Sequence, residues 1–234
     1  MNLYESEKLS NVTGSTLRPG GLDLTLEMLE ICRLEPYSMI LDMGCGHGTT
    51  LAMLDRLGHC PYGVDISTML LSKAMDVVPK AILARASADK TPFSEAFFDL
   101  ALGECVLSLV SPPEAMLKEA YRVLKPNGLL GLTDIYIREI RENVACDLGK
   151  LKSCLKGAIQ LDELKDLIEN NNFEIIHISD HTDKLKQLTA ELIFAYGSLK
   201  AFWEFFLDSK EAEAMCSCNY KYGYYMLIAR KKDG

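Results

Sequence analysis

No apolar run in this 234-residue chain approaches the length needed to span a bilayer, so a helical membrane protein is not expected. Its first residues, MNLYESEKLSNVTG, carry acids and no apolar segment, so a signal peptide is not expected either. Internal repeats, low-complexity tracts and Gly/Ser linkers are absent, and the length suits one globular domain with an elaboration. The eight cysteines show no paired C-x-x-C spacing. Without a secretion signal they read as free thiols and not as a disulfide framework. An excess of positive charge is missing too: the net charge is −8, and Arg230, Lys231 and Lys232 are too few to form a basic face. An acidic surface repels phosphate backbones, so the expected partner is a small molecule in a cytoplasmic setting, with no nucleic acid. Monomer and homodimer both remain compatible with the sequence.

The composition holds 48% hydrophobic and 25% charged residues, enough to build a core. Short apolar runs alternate with helical stretches, the pattern of βαβ units around a parallel sheet. A helix is expected over Leu22–Arg33, with Leu22, Leu26, Leu29 and Cys32 on its apolar face. Ser38–Met43 is a buried strand running into glycines, and Thr49–Leu57 a helix. Strands are expected at Tyr62–Asp65, Ala81–Ala84, Phe98–Leu102 and Leu129–Asp134. A helix lies over Ser67–Val77, and another starts at Ser111-Pro112-Pro113 and is stopped by Pro126 and Gly128. Further on come a helix at Asp162–Glu169, a strand at Phe173–Ile178, a long helical stretch from Lys184 to Phe206, and a last strand at Tyr224–Ala229. The two final strands are separated by an insertion of roughly 45 residues, longer than ordinary connections and suited to a substrate cap.

Chemistry concentrates in Asp42-Met43-Gly44-Cys45-Gly46-His47-Gly48-Thr49, directly after a buried strand and before a helix. Glycines there let the chain turn tightly and let a ligand approach bare backbone. The spacing is G-x-G-x-G. The third glycine of the dinucleotide fingerprint would fall at Thr49, which disfavours a nicotinamide-dependent oxidoreductase. Asp65 ends the next strand, where a carboxylate accepts hydrogen bonds from two ribose hydroxyls and repels a 2′-phosphate.

The runs ILDMGCGHGTT, YGVDIS, SADKTPFSEAFFDL and YRVLKPNGLLGL resemble, in order and spacing, the motifs of class I S-adenosylmethionine-dependent methyltransferases. The resemblance covers about Ile40 to Asp134, and the neighbouring sequence is similar to the ubiquinone/menaquinone and arsenite methyltransferase group. It implies an α/β Rossmann-like fold: a seven-stranded, mostly parallel sheet with helices on both faces and a helical cap. One domain would span 1–234, with an N-terminal cap or helix at 1–37, the cofactor core at 38–134 and substrate-cap segments at 135–160 and 180–220. The implied cofactor is S-adenosylmethionine, leaving as S-adenosylhomocysteine after in-line transfer of its methyl group. Asp42, Gly44, Cys45, Gly46 and Gly48 fall on the motif for its methionine part. Asp65 falls on the ribose acid, Ile66 on the adenine-packing position, and Ser87, Ala88 and Asp89 on the adenine loop. Ser87 stands where many relatives have aspartate. Glu104, Cys105 and Val106 follow the fourth strand, beside the expected sulfonium.

Arg18 and Gly20, ahead of the first helix, are candidates for the cofactor carboxylate, or simply a turn and helix start. Catalytic candidates are His181 at the start of the insertion, Glu104, and Tyr4 if the N-terminus folds over the pocket. His47 reads as a turn residue and His177 as strand packing. Cys146, Cys154, Cys216 and Cys218 could converge on As(III), which would make the protein an arsenite methyltransferase. As ordinary thiols they need no such role. Tyr196, Phe202, Trp203, Phe205 and Phe206 read as core with a possible share in an apolar pocket. A non-catalytic binder of S-adenosylmethionine or S-adenosylhomocysteine is the alternative from another functional class.

Overall fold

The computed structural model of the protein describes residues 5, 16, 18–140, 153–217 and 220–233. In chain order it places α1 (Gly21–Cys32), β1 (Met39–Met43), α2 (Thr49–Arg56), β2 (Cys60–Asp65), α3 (Thr68–Val77), β3 (Ile82–Arg85) and β4 (Phe98–Glu104). There follow α4 (Pro113–Val123), β5 (Leu124–Ile140), α5 (Leu161–Asn170), β6 (Phe173–Asp180), α6 (Thr182–Tyr196), α7 (Leu199–Trp203), α8 (Ser209–Ser217) and β7 (Tyr220–Lys231). Single 3-10 turns occupy Leu107–Leu109 and Cys154–Gly157.

The strands form one sheet in the order β3-β2-β1-β4-β5-β7-β6. β7 runs antiparallel to both its neighbours, and the other adjacent pairs are parallel. Side chains alternate across the sheet, so each strand feeds two cores. Tyr224, Met226 and Ile228 join Ile40, Leu100 and the α1 residues Leu24, Met28 and Leu29 on one face. Tyr225, Leu227 and Ala229 join Leu41, Ala101 and the α4 residues Met116, Leu117 and Ala120 on the other. Strands buried on both faces must be apolar throughout, as MILDM and FDLALGE are apart from their acids. The chain moves outward from β1 to β2 and β3, then crosses back to β4 on the far side of β1. The carboxyl ends of β1 and β4 therefore flank a topological switch point, where open α/β sheets bind ligands. Among the described residues no helix is long and apolar enough to cross a membrane.

Three expectations need correction. The buried stripe of α1 is Leu24, Thr25, Met28, Leu29 and Cys32, while Leu26 is exposed. The 24, 25, 28, 29, 32 spacing is the better helical stripe, disguised because one member is a threonine. α4 ends at Val123, and Pro126 and Gly128 fall inside β5, in the register shift between the Phe98–Leu124 and Leu100–Leu129 pairs. Gly197, at φ 81, breaks the long helical stretch into α6 and α7, and α8 follows as a separate helix. The cap aromatics Tyr196, Phe202, Trp203 and Phe206 pack with Leu192 in a small core of their own.

Candidate functional site

The switch point carries a cleft of about 320 Å³, within the size range of small-molecule sites. Its floor is the turn after β1. The amides of Gly44 and Cys45 both donate to the Val64 carbonyl of β2, at 2.7 and 2.9 Å, which ties the turn to the neighbouring strand. Gly44, Gly46 and Gly48 have φ of 90, 52 and 76°, a region that costs other residues steric strain. A Cβ on Gly44 would lie 2.5 Å from the Val106 side chain, whereas one on Gly46 would meet nothing within 4 Å. Gly44 is thus required by packing, and Gly46 keeps the cleft open.

Asp65, at the end of β2, accepts hydrogen bonds from the Gly46 amide at 3.0 Å and the Ser67 amide at 2.8 Å. One carboxylate so fixes both the glycine turn and the start of α3, and keeps further lone pairs for a ligand. Next to it Ile66 is 65% exposed, an apolar side chain left uncovered at the cleft. Ser87, Ala88 and Asp89 line the same end, and Leu109, Val110 and Ser111 face it from the loop after β4.

The inner wall is polar and closed. Arg18 pairs with Glu104 at 2.9 Å and donates to the hydroxyls of Thr25 at 2.7 Å and Thr50 at 3.0 Å. Those hydroxyls donate in turn to the two Glu104 oxygens, at 2.6 and 3.0 Å. Every group of this buried ring is satisfied, and it joins α1, α2 and β4. Burial works against the Arg18 charge, but Glu104 first, then Tyr224 and Asp42, outweighs it and raises the Arg18 pKa.

Asp42, at the end of β1, is only 3% exposed. Burial, with Glu104 as the next cause, pushes its carboxyl up to about 8. Cys105 follows Glu104 in the left-handed region at φ 57, with its Sγ 3.2 Å from the Tyr224 hydroxyl. The Tyr224 hydroxyl donates a hydrogen bond to Thr133 Oγ1 at 3.0 Å. Burial chiefly, helped by Asp134 and Cys154, raises the Cys105 thiol well above its ordinary value and keeps it protonated.

The cleft therefore brings together Arg18, Asp42, Gly44, Cys45, Gly46, Asp65, Ile66, Ser87, Ala88, Asp89, Glu104, Cys105 and Val106. His47 lines it as well. Gly48 sits behind it as the α2 N-cap, against Ala74. Gly20 lies outside it, as the α1 N-cap against Leu24. His181 is not a lining residue: it precedes α6, its ring 2.9 Å from Ser179 Oγ and 3.7 Å from Glu27. His177 bonds to the same Ser179, at 3.1 Å. Cys154 is half-buried beside Cys105's core, and Cys216 is exposed on α8. Tyr4, Cys146 and Cys218 lie outside the described residues.

Sequence reading missed Thr25 and Thr50. Their signal was a threonine at a buried position of each flanking helix. It also missed Asp134, which accepts from the Ser108 amide at 2.9 Å and hydroxyl at 2.8 Å and so anchors the loop carrying Val106 and Leu109.

Residues 41–132 match the family described as a methyltransferase domain. The uncharacterised methyltransferase YodH of Bacillus subtilis is 37% identical over 130 residues, covering 54% of this chain and 54% of that protein. The chain spans about half the length of the first curated relatives it matches. Among solved structures, the [4+2]-cyclase SpnF superposes with a TM-score of 0.78 at 23% identity, covering 97% of this chain and 93% of that one. Phosphoethanolamine N-methyltransferase 2 of Haemonchus contortus, in complex with S-adenosyl-L-methionine, gives 0.76 at 17% identity over 97% of this chain and 56% of that one. Residues 41–132 thus match the methyltransferase domain family, and the strand order and superpositions place the described chain on the fold shared with these solved structures.

Proposed function

We propose that the protein transfers a methyl group from S-adenosylmethionine to a small-molecule acceptor and releases S-adenosylhomocysteine. The observation that carries this reading is a glycine-floored cleft whose four carboxylates, Asp42, Asp65, Asp89 and Glu104, face one guanidinium, Arg18. Such a charge balance suits a cationic nucleoside and repels a phosphorylated one, which is the reverse of a dinucleotide site.

When bound, the cofactor supplies a methyl group already activated by its sulfonium. The chain's own residues then have positioning work. Gly44 and Gly46 offer bare backbone to the methionine part, and Asp65 accepts from the ribose hydroxyls. Ile66 and Leu109 hold the base between them, with Ser87, Ala88 and Asp89 at its edge. The Arg18–Glu104 ring and the Cys105–Tyr224 pair form a rigid inner wall that orients the reacting end and keeps water from it. A thiolate, amine or other ready nucleophile needs no protein base in such a site, whereas a hydroxyl acceptor does.

The arsenite alternative requires three converging thiols. Of its four candidates, Cys154 approaches the cleft and Cys216 stands on the cap. Among the described residues no trio of His, Cys, Asp or Glu side chains is placed to hold a metal ion. The likeness to a protein named a cyclase keeps ligand binding and methyl transfer as separable properties. A transfer assay with methyl-labelled S-adenosylmethionine and a panel of small amines, thiols, phenols and arsenite separates them. Acceptor-dependent formation of S-adenosylhomocysteine supports the proposal. A folded protein that binds both adenosyl ligands and turns over none of the panel supports the binder reading.

A further inference from the structure

Four carboxylates border the cleft, and they are not equivalent. Glu104 has each oxygen engaged, by Thr25 on one side and by Thr50 and Arg18 on the other. Asp65 accepts two backbone amides. Asp89 stands at the more open outer end, half-buried. Asp42 is buried against Glu104, Arg18 and Asp65, and only burial and those charges set its ionisation, with no hydrogen bond from a described residue. Arg18, paired with Glu104, draws the Asp42 pKa down, but burial and Glu104 outweigh it. In a carboxyl so placed the anion is disfavoured until a cation arrives.

Resting on the methyl-transfer reading, we propose that Asp42 is a proton-exchanging group that matches the cleft's charge to its adenosyl ligand. It gives up its proton to solvent when a sulfonium ligand enters, and keeps it when the uncharged thioether product occupies the same place. The balance is simple: the carboxylic acid becomes carboxylate, one proton passes to buffer, and the ligand's extra positive charge takes the proton's place. Turnover then recharges Asp42 with a proton, and product leaves a cleft that no longer holds it by charge. The upward displacement of the Asp42 pKa has the sign this requires. The other ionisable groups facing Asp42 are Arg18 ahead of α1, Cys45 in the glycine turn, Asp65 on β2 and Glu104 and Cys105 at the end of β4. Both thiols are held protonated, so neither supplies the proton. Beyond these, His47 and Asp89 are the ionisable side chains that line the cleft.

The test is calorimetric titration of the intact protein in buffers of different ionisation enthalpy, near neutral pH, with S-adenosylmethionine, sinefungin and S-adenosylhomocysteine. The expected result is release of up to one proton with each of the two cationic ligands and close to none with the thioether. The affinity ratio of S-adenosylmethionine to S-adenosylhomocysteine should rise up to tenfold per pH unit below about 8 and then flatten. Asp42→Asn should abolish both the release and the pH dependence, and His47→Gln should leave both in place. Equal proton release by all three ligands in the unaltered protein overturns the proposal, and this arm needs no variant to fold. Release that persists in Asp42→Asn, or disappears in His47→Gln, overturns it as well. Failure of every adenosyl ligand to bind the folded protein would remove the methyl-transfer reading itself, a different outcome from binding without differential proton release.

Discussion

At the residue scale, the cleft trades stability for ligand affinity in two separable ways. Gly46 has φ 52 and open space where a Cβ would be, so Gly46→Ala incurs only the left-handed penalty, about 1–2 kcal/mol. That variant should melt a few degrees lower and lose its thermal shift with S-adenosylmethionine, because the added methyl fills the ligand's approach to the backbone. Gly44→Ala, by contrast, drives a methyl into Val106 and should lose folding and binding together. Asp42 and Asp134 are buried carboxyls raised to about 8 and about 6. Each therefore binds a proton on folding in the window between its unfolded value, near 3.9, and its folded one. Their contribution to stability is present below that window and declines as pH rises through it. Thermal melts of the unliganded protein should fall from about pH 4 to about pH 8. Asp42→Asn should remove the upper part of that fall and stabilise the unliganded protein at pH 8 by about 1–2 kcal/mol, as expected where function holds a strained group in place. The glycines and Asp65 were legible as cleft residues because a tight strand-to-helix turn and the end of the next strand dictate residue type at fixed spacing. The Arg18–Thr25–Thr50–Glu104 ring was not, because its members lie 7, 32 and 54 residues apart and meet only through tertiary packing.

At the element scale, the cleft wall formed by Val106, Leu109 and Val110 is held from outside. Asp134 on β5 accepts from Ser108 and from the Ile135 amide, while the chain at Gly157 passes so close to Ser108 that a Cβ would lie 1.8 Å from its carbonyl oxygen. The 3-10 turn at Leu107–Leu109 is clamped between them. Asp134→Asn leaves buried donors facing an amide and should cost about 1–3 kcal/mol, with a weaker affinity for the adenosyl ligand through the loosened loop. Calorimetry against S-adenosylhomocysteine beside a denaturant melt checks both. An affinity unchanged in the face of lost stability would show the clamp to be structural alone. Here the sequence was read unevenly. βα alternation placed β1 to β4 within two residues of their ends, because burial forces continuous apolar runs, but it caught only the middle of β5, which spans Leu124–Ile140. The face of α1 was misjudged because Thr25 occupies a core position to serve the polar ring. Pro126 and Gly128 look like helix stops, yet serve a strand irregularity.

At the scale of the molecule, the strand order brings the glycine turn of β1, the acid of β2 and the polar end of β4 to one crevice. The N-terminal Arg18 then closes its inner wall. The cap helices add a small separate core around Phe202 and leave Phe194 almost wholly exposed on α6. A surface phenylalanine with nothing to pack against adds little, so Phe194→Ser should change stability by no more than about 0.5 kcal/mol in a chemical melt. The residues around the cleft were readable because the strand ends and tight turns that form it fix residue type at fixed spacing. The acceptor's side was not, since loops and caps vary with the acceptor while the fold stays constant.

The central claim is that this cleft is built for a cationic adenosyl ligand and not for a dinucleotide. Calorimetric titration of the unaltered protein with S-adenosylmethionine and, separately, NAD tests it most directly, with Gly46→Ala as the folded control. The account predicts saturable binding of S-adenosylmethionine that the variant loses, and no binding of NAD. Binding of NAD in preference, or a folded protein indifferent to both, would contradict it.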